Sequence, residues 1–323
     1  MLLAAGHGTR MAPLTPRWPK PALPVLDEPV VLRLVRSLAE QGVESIVVNA
    51  HRDPGPLRDA LRRAPIPVDL SLEPQLRGSG GGILQARGFL EGPAPFLVLN
   101  ADMCIDLDVE DLARAHERSG SMATLLLRDD PRNRQFGTIG YAKDGGVCRI
   151  TDSIEAKAEA GCGLFTGVHM MESAIFEHMP QQPEFDIIRE LYLPWMRAGE
   201  RIGTRLQARS ATWWPVGCPG ELLDANLAAL AQKLEARRAQ PDAVIAAEDA
   251  VLEGEVRGPA WLGAGVRIEA DACVGPRVVI GAQARVQSGA RLEESLLLPG
   301  ALLPSSEPLR RAIGFGEAVW LDD

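Results

Sequence analysis

The sequence predicts an α/β protein: a Rossmann-like, mostly parallel sheet with helices on both faces, followed by a short left-handed parallel β-helix. Strand-like and helix-like segments alternate up to about residue 240, which is typical of a parallel sheet covered by helices. The last quarter of the chain repeats in hexads instead. Because 323 residues exceed one ordinary hydrophobic core, we expect two domains, 1–240 and 241–323.

The first domain opens with an apolar strand, Leu2–Ala5, and a loop rich in glycine and proline. A helix is predicted over Val30–Gln41, because apolar residues recur at helical spacing between a first-turn proline and a terminating glycine. Ligands of such sheets bind beyond the carboxyl ends of strands, so chemistry is expected after Leu2–Ala5 and Phe96–Leu99. The other predicted elements are strands at Ser45–Val48 and Val68–Ser71 and helices at Pro56–Arg63, Gly80–Gly88, Val109–Ser119 and Leu222–Arg238.

The hexad repeat defines the second domain. From Val244 to Leu298 every sixth residue is apolar, and small or apolar residues follow four positions later, Glu248 excepted. This periodicity is typical of a parallel β-helix, whose flat sides each take one hexad. The 60 residues 244–303 predict about three coils. A face of so short a β-helix is suited to subunit contacts, so we expect a homo-oligomer.

Composition restricts the partners. The chain has 34 basic and 43 acidic residues, a net charge of −9, which argues against a nucleic-acid partner. The apolar start, Met1–Ala5, is too short for a membrane span or signal peptide. The five cysteines are scattered without a C-x-x-C pair, so no zinc or redox motif is encoded. We therefore expect a cytoplasmic protein without a membrane partner.

A glycine-rich segment after the first strand is the strongest motif. A strand that runs into Gly-x-Gly presents backbone N–H groups to phosphate oxygens, because glycine permits close approach. The third glycine of a dinucleotide fingerprint would fall at Met11, and no Walker lysine follows. Alone, Gly-x-Gly is equally typical of a tight turn. The full motif is Leu3-Ala4-Ala5-Gly6-His7-Gly8-Thr9-Arg10-Met11, followed by Pro19-Lys20-Pro21 and Pro24-Val25.

With its arginine and lysine, this segment resembles the sugar-1-phosphate nucleotidyltransferases, or NDP-sugar pyrophosphorylases. The added hexad repeat makes the layout similar to mannose-1-phosphate guanylyltransferases. The resemblance implies that an NTP and a sugar 1-phosphate are the substrates, that Mg²⁺ is the cofactor, and that Arg10 and Lys20 are catalytic. Cations are needed there because the reaction crowds phosphates together. The resemblance implies nucleotide contacts at Ala4, Ala5, Gly6, Gly8 and Thr9.

Two downstream motifs follow in family order. Residues 73–82 resemble the base-reading loop E-x-x-L-G-T-[AG]-G with one extra residue. Leu99-Asn100-Ala101-Asp102 resembles the family's L-x-G-D, which implies that Asp102 is catalytic and binds Mg²⁺. Without the resemblance, such an aspartate is more typical of a turn or helix cap. The implied nucleotide-binding residues of the first motif are Glu73, Gly78, Ser79 and Gly80.

The family motifs that contact the sugar phosphate are matched less fully. Residues 136–140, 165–168 and 185–199 resemble family segments, but the family's Glu-Lys-Pro element is missing, and residues 149–153 stand in its place. Residues 213–219 match W-x-D-[VI]-G-T-P except that Pro215 replaces the usual second metal aspartate and Cys218 the threonine. Proline offers Mg²⁺ no ligand. The implied sugar-binding residues are Asn100, Gly137, Thr166, Gly167 and Trp213.

Several functions remain open. The first is transfer from GTP to mannose 1-phosphate, and the second is uridylyl transfer to an amino-sugar 1-phosphate. A non-catalytic, regulatory NDP-sugar-binding paralogue is favoured by Pro215 and opposed by Arg10, Lys20 and Asp102. Acetyl transfer by the β-helix is disfavoured, because no histidine follows His178 to act as a base.

Overall fold

A computed structural model describes residues 1–15, 18–51, 54–132, 137–151, 159–304 and 307–322. The chain forms two compact units. The first consists of Met1–His7, Val31–Ala101 and Ile105–Trp213, and the second of Gly8–Val30, Asp102–Cys104 and the chain from Trp214 onward. Within the described ranges, no helix has the length and apolar character needed to cross a membrane.

Thirteen strands and seven α-helices precede the hexad repeat in the described chain. The strands are β1 (Leu2–Leu3), β2 (Pro24–Val25), β3 (Glu28–Pro29), β4 (Ile46–His51), β5 (Val68–Glu73), β6 (Phe96–Asn100), β7 (Met103–Ile105), β8 (Ala123–Arg128), β9 (Ile139–Tyr141), β10 (Val147–Ile150), β11 (Gly161–Met171), β12 (Gly203–Leu206) and β13 (Trp213–Pro215). The helices are α1 (Val30–Glu40), α2 (Gly55–Leu61), α3 (Gly78–Gln85), α4 (Arg87–Leu90), α5 (Val109–Ser119), α6 (Leu193–Ala198) and α7 (Pro219–Ala236). Short 3-10 turns lie at Thr9–Met11, Lys20–Ala22 and Ser173–His178, and a π-helical turn lies at Ile188–Tyr192.

In the described part of the chain, nine strands form the central sheet of the first unit. Seven follow the order β10-β9-β11-β6-β1-β4-β5, while β8 pairs with β11 and β12. The β6-β1-β4-β5 segment is parallel, and β12 pairs parallel to β8, whereas β11 is antiparallel to its neighbours. The chain places β4 and β5 on one side of β1 and then β6 on the other, so the strand order reverses between β1 and β6. Crevices at such a reversal are where open α/β sheets bind ligands.

The structure confirms the predicted alternation and adjusts its boundaries. Helix Val109–Ser119 is as predicted, with the Asp108 side chain capping its start. The first strand ends at Leu3 rather than Ala5, because the Ala4 N–H donates to the Asn49 side chain instead of extending the sheet. The helix predicted over Gly80–Gly88 begins earlier and divides into α3 and α4.

The C-terminal region is a parallel β-helix of three stacked sheets. The first sheet has the order β14-β17-β20-β23-β26-β27, the second β15-β18-β21-β24 and the third β16-β19-β22-β25. Their strands are β14 (Val244–Ala246), β15 (Val251–Leu252), β16 (Glu255–Val256), β17 (Ala260–Leu262), β18 (Arg267–Ile268), β19 (Cys273–Val274), β20 (Val278–Ile280), β21 (Arg285–Val286), β22 (Arg291–Glu293), β23 (Leu296–Leu297), β24 (Leu302–Leu303), β25 (Leu309–Arg310), β26 (Ala312–Phe315) and β27 (Ala318–Leu321).

The repeat continues further than predicted, and its phase changes. Val279 aligns with Leu296, which in turn aligns with Ile313, so a fourth coil follows the three expected up to residue 303. These steps take 17 residues rather than 18, whereas Ala260 aligns with Val278 after 18. One strict hexad phase therefore describes only the middle coils. Both predicted series face inward there; the core they form contains Leu262, Val266, Ile268, Ala272, Val274, Val278, Ile280, Ala284, Val286, Ala290 and Leu292.

Within the second unit, α7 joins the β-helix to the segment around β2. The buried Asn226 side chain accepts from the Leu26 N–H at 2.7 Å and donates to the Pro24 carbonyl at 3.2 Å. Farther along α7, Lys233 Nζ lies 5.8 Å from the centre of the Trp261 ring in the β-helix. Helix α7 is therefore held to both segments of its unit by specific contacts.

Candidate functional site

In the first unit, a buried relay links the glycine-rich loop to the predicted base-reading loop. The Ala4 N–H donates to Asn49 Oδ1 at 2.6 Å, and Asn49 Nδ2 donates to Glu73 Oε1 at 2.7 Å. The other oxygen, Glu73 Oε2, accepts from the Arg77 N–H at 3.1 Å. Asn49 is 3% exposed and Glu73 2% exposed. Glu73 is therefore linked to both loops: through Asn49 to Ala4 in the glycine-rich loop, and directly to Arg77 in the base-reading loop.

The loop at residues 78–80 is clamped by a later segment of the chain. Ser79 Oγ donates to Asp186 Oδ2 and accepts from the Ile187 N–H, both at 3.0 Å, and the Gly80 N–H donates to the Phe185 carbonyl at 3.0 Å. A Cβ at Gly80 would lie 2.1 Å from the Phe185 ring. Glycine is required at 80 because the ring occupies the place of a side chain.

Gly78 is constrained in the same way. Its φ is +67°, a left-handed conformation that favours glycine, and a Cβ there would lie 2.6 Å from the Phe185 carbonyl oxygen. Neither Asn49 nor Asp186 belongs to the sequence motifs of the two loops. For Asn49 a signal existed, because it is a polar residue inside the apolar run Ile46–Ala50.

On the predicted sugar side, the exposed Asn100 lies against Gly167. Gly167 has φ +85°, and a Cβ there would lie 2.5 Å from Asn100 Nδ2. Thr166 is buried and its hydroxyl donates to the Leu126 carbonyl at 2.8 Å. The Trp213 indole, 5% exposed, donates to the Thr166 carbonyl at 3.2 Å. Thr166 and Trp213 thus support the strand behind Gly167, while the Asn100 amide is the accessible group.

Around Gly137 the structure describes only part of the predicted motif. Gly137 has φ +78°, and a Cβ there would lie 2.8 Å from Thr151 Cγ2. Phe136, Asp152 and Ser153 lie outside the described residues. Arg149, in place of the missing Glu-Lys-Pro element, donates to Glu159 at 2.8 Å and to Thr138 Oγ1 at 3.1 Å. Its hydrogen bond to Glu159 raises the Arg149 pKa, so the guanidinium stays protonated and its charge is compensated by the Glu159 carboxylate.

The second unit gathers the predicted phosphate and metal residues. Lys20 Nζ donates to Asp102 Oδ2 and forms an ion pair with it. Gly8 has φ +63° and faces Thr15 and Lys20: a Cβ at Gly8 would lie 2.9 Å from Thr15 Cγ2 and 3.9 Å from Lys20 Cβ. Thr9 and Arg10 are exposed in the 3-10 turn that follows.

The segment after β13 lies beside Asp102. The Val216 N–H donates to the Asp102 carbonyl at 2.8 Å. A Cβ at Gly217 would lie 3.5 Å from Arg10 Nη2, so the arginine approaches the same segment. Residues 216–217 therefore approach both Asp102 and Arg10, and Asp102 pairs directly with Lys20.

Asp102 could bind Mg²⁺ as a single protein carboxylate. It is 33% exposed, and among the described residues nothing hydrogen-bonds to its Oδ1. Pro215 offers no ligand, and Glu221 Oε2 accepts from the Gly217 N–H at 2.6 Å. The described part of the chain contains no group of three His, Cys, Asp or Glu side chains suited to a metal. Mg²⁺ often binds through one or two carboxylates plus substrate phosphates, so this donor set fits a metal that enters with NTP.

Two other acidic residues near Asp102 in sequence have structural partners. Asp106 Oδ2 accepts from the Thr212 N–H at 2.9 Å. Asp108 Oδ1 accepts from the Asp111 N–H at 2.8 Å and caps α5. Asp102 is thus the carboxylate of this segment that pairs with Lys20.

Comparisons with known proteins identify the family of the chain. The family model "Nucleotidyl transferase" matches residues 1–232. UTP–glucose-1-phosphate uridylyltransferase from Synechocystis sp. is 25% identical over 94% of this chain and 85% of its own length. Mannose-1-phosphate guanyltransferase beta-B from Xenopus laevis is 26% identical over 69% of this chain, which spans 62% of that relative.

Solved structures show the same fold. HddC from Yersinia pseudotuberculosis, also solved complexed with GMP-PN, matches with a TM-score of 0.58 at 24% identity, over 70% of this chain and 96% of HddC. The family match covers the sheet, the glycine-rich loop, Lys20 and Asp102. The chain belongs to the nucleotidyl transferase family.

Proposed function

We propose that the protein couples an NTP to a sugar 1-phosphate, releasing pyrophosphate and forming an NDP-sugar. The observation that supports this most directly is the Lys20–Asp102 ion pair beside the Gly8–Arg10 turn. A glycine-containing turn with Thr9 and Arg10 exposed, together with the Lys20 cation and one carboxylate, suits a reaction between phosphates.

In the proposed reaction, a phosphate oxygen of the sugar phosphate attacks the α-phosphorus of the NTP. A new P–O bond forms, and the bond to the β-phosphate breaks as pyrophosphate leaves. Lys20 holds the attacking phosphate and Arg10 the leaving pyrophosphate. Asp102 would hold Mg²⁺, which neutralises charge on the phosphates when bound. Catalysis here is mostly positioning and charge compensation.

The remaining predicted residues bind the two substrates. We assign nucleotide contacts to Ala4, Ala5 and Gly6 beyond β1 and to Gly8 and Thr9 in the turn. The Asn49–Glu73 relay positions the base-reading loop, in which Gly78 is the exposed one of the three predicted contacts Gly78, Ser79 and Gly80. Among the predicted sugar-binding residues, Asn100 has an exposed side chain, and this side chain lies against Gly167.

GTP and mannose 1-phosphate are the proposed first substrates, supported by the frog guanyltransferase relative. A uridylyltransferase is the second candidate, because the Synechocystis relative aligns with 94% of this chain, whereas the frog guanyltransferase aligns with 69%. A non-catalytic, NDP-sugar-binding role is the third, because Pro215 removes a carboxylate.

Pyrophosphate release separates these candidates. The purified full chain is incubated with Mg²⁺, each of four NTPs, and mannose, glucose and glucosamine 1-phosphates. Release with GTP and mannose 1-phosphate supports the first candidate, and preference for UTP with glucosamine 1-phosphate the second. Binding of an NDP-sugar without release under any condition contradicts the enzymatic proposal. The Lys20→Ala variant serves as the inactive control.

A further inference from the structure

In the first unit, Arg132 lies over the indole of Trp213. The Arg132 guanidinium carbon is 5.0 Å from the centre of the ring, within the range of a cation–π contact. Trp213 is 5% exposed, and its N–H donates to the Thr166 carbonyl, whereas the Arg132 side chain is 38% exposed. A ligand that approaches this ring face therefore meets a cation rather than an aromatic surface.

A bidentate ion pair with Asp130 holds Arg132 in this position. Arg132 Nε donates to Asp130 Oδ1 and Nη2 donates to Oδ2, both at 2.8 Å. These hydrogen bonds hold the pKa of Asp130 well below its usual range, so the carboxylate stays ionised. The pair uses two of the five N–H donors of a guanidinium. Asp130 thus fixes the place of Arg132 without using all of its donors.

Asp130 is shared with a second arginine. Arg128 Nε donates to Asp130 Oδ2 at 2.9 Å, while Arg128 Nη1 donates to two neutral acceptors, the Ala211 carbonyl and Gln207 Oε1. Asp130 is 3% exposed and the Arg128 side chain 14% exposed. One buried carboxylate therefore serves two guanidinium groups, and the more exposed of the two belongs to Arg132.

Other arginines of this region have a carboxylate each. Arg149 pairs with Glu159 through two hydrogen bonds, at 2.8 Å and 3.0 Å. Arg209 pairs with Asp129 at 2.7 Å. The five predicted sugar-binding residues are all uncharged: Asn100, Gly137, Thr166, Gly167 and Trp213. An acceptor substrate is an anion, so a cation is needed among them.

We propose that Arg132 binds an oxyanion of the acceptor substrate, either the phosphate of the sugar 1-phosphate or a carboxylate on its sugar. This assignment rests on the proposed function, because the acceptor belongs to that reaction. The planar fork of N–H donors in a guanidinium matches both oxyanions. Trp213 is the positioning residue beneath Arg132. Its N–H bond to Thr166 ties it to the neighbour of Gly167, against which the exposed Asn100 side chain lies.

Arg132→Gln removes the charge and leaves Asp130 paired with Arg128, so the fold should persist. In the full-length chain we expect the KM for the acceptor to rise about 10- to 100-fold, because a hydrogen bond between charged groups is lost. The KM for NTP should not change. Arg132→Lys keeps the charge without the fork and should recover part of the affinity. Arg209→Gln, at an exposed ion pair, is the matched control and should keep both wild-type KM values.

Two acceptors distinguish the sources of the oxyanion. Mannose 1-phosphate carries only the phosphate, and glucuronate 1-phosphate carries a carboxylate as well. If Arg132 binds the phosphate, the KM values of both acceptors rise by the same factor in Arg132→Gln. If it binds the sugar carboxylate, the wild type prefers glucuronate 1-phosphate and only that KM rises.

Calorimetric titration with the same two acceptors, without NTP, separates this proposal from the proposed function. A wild-type chain that releases no pyrophosphate contradicts the proposed function, whereas weaker acceptor binding by Arg132→Gln still supports the role of Arg132. Wild-type affinity of Arg132→Gln for both acceptors would overturn that role. So would a wild-type chain that binds neither acceptor, an equal rise in the KM for NTP, or the same loss in Arg209→Gln.

Discussion

Lys20 Nζ donates a hydrogen bond to Asp102 Oδ2, joining two residues 82 positions apart in the second unit. Their side chains are 14% and 33% exposed, so both remain within reach of a ligand. Each neutralises the other, and phosphates and Mg²⁺ would compete for the same two groups. We therefore expect both turnover and Mg²⁺ binding to depend on this pair.

Removing either of the proposed phosphate-binding cations, Lys20 or Arg10, should slow turnover strongly without unfolding the chain. We expect Lys20→Ala and Arg10→Ala each to lower kcat by about two to four orders of magnitude, because charge stabilisation is needed mainly when phosphates are crowded together. Pyrophosphate release measures the rate, and circular dichroism measures the fold.

Exposed Lys143→Ala and Arg58→Ala are the matched controls and should keep wild-type rates. Wild-type turnover in either Lys20→Ala or Arg10→Ala, with the fold intact, would refute the phosphate-site assignment.

Asp102→Asn tests the metal assignment. We expect turnover to be lost while much of the NTP affinity remains, since the amide keeps the size of the side chain but is a poorer Mg²⁺ ligand than a carboxylate. Calorimetry with Mg²⁺ alone should detect little binding to the wild-type chain. Tight Mg²⁺ binding to the free protein, or full activity in Asp102→Asn, would place the metal elsewhere.

Pro215→Asp should add the carboxylate that the family pattern contains at this position. The Val216 N–H bond holds this segment beside Asp102, so a second acidic side chain would have Asp102 as a neighbour. We expect Mg²⁺ to bind the free variant more tightly than the wild type, because two carboxylates now share the ion. Pro215→Asn is the matched control. Equal Mg²⁺ affinity in all three chains would show that residue 215 is not oriented toward the metal.

Asn49→Ala should uncouple the two nucleotide loops. The substitution leaves the Ala4 N–H and the buried Glu73 Oε1 without their partner, at a cost of about 1–3 kcal/mol in the free energy of unfolding. We expect the KM for NTP to rise more than the KM for the sugar phosphate. Asp69→Ala, exposed on the adjacent strand, controls for general effects. Equal rises in both KM values would indicate a purely structural role.

The buried His169 should make stability fall as the solution becomes acidic. Burial lowers the pKa of His169 to about 3, from 6.5 for an exposed imidazole, and its Nδ1 lies 2.9 Å from Tyr192 Oη. Between these pKa values the unfolded chain binds a proton that the folded chain does not. The folded state therefore loses up to about 1.4 kcal/mol per pH unit below pH 6.5.

Denaturant melts between pH 6.5 and 4.5 measure this slope, which should decrease in His169→Gln. Burial also lowers the pKa of His116, so a smaller slope should persist in the variant. A variant with the same slope as the wild type would show that His169 does not carry the effect.

The local signals in the sequence determined much of the fold and of the candidate site. Alternating strands and helices indicated the parallel sheet, and the hexads indicated the β-helix. Both depend on spacing between near neighbours, which steric and hydrogen-bonding rules convert directly into backbone structure. The phosphate and metal site at Gly6-His7-Gly8-Thr9-Arg10, Lys20 and Asp102 was instead implied by the resemblance of these motifs to a known family.

Tertiary structure decided which distant side chains meet and which are accessible. It buried Glu73 against Asn49, packed Phe185 over Gly80 and aligned Lys20 with Asp102. It also changed the repeat of the β-helix from 18 to 17 residues and continued it through a fourth coil. No local sequence pattern predicts these contacts. Hydrogen bonds and close packing between residues far apart in sequence depend on how the whole chain folds.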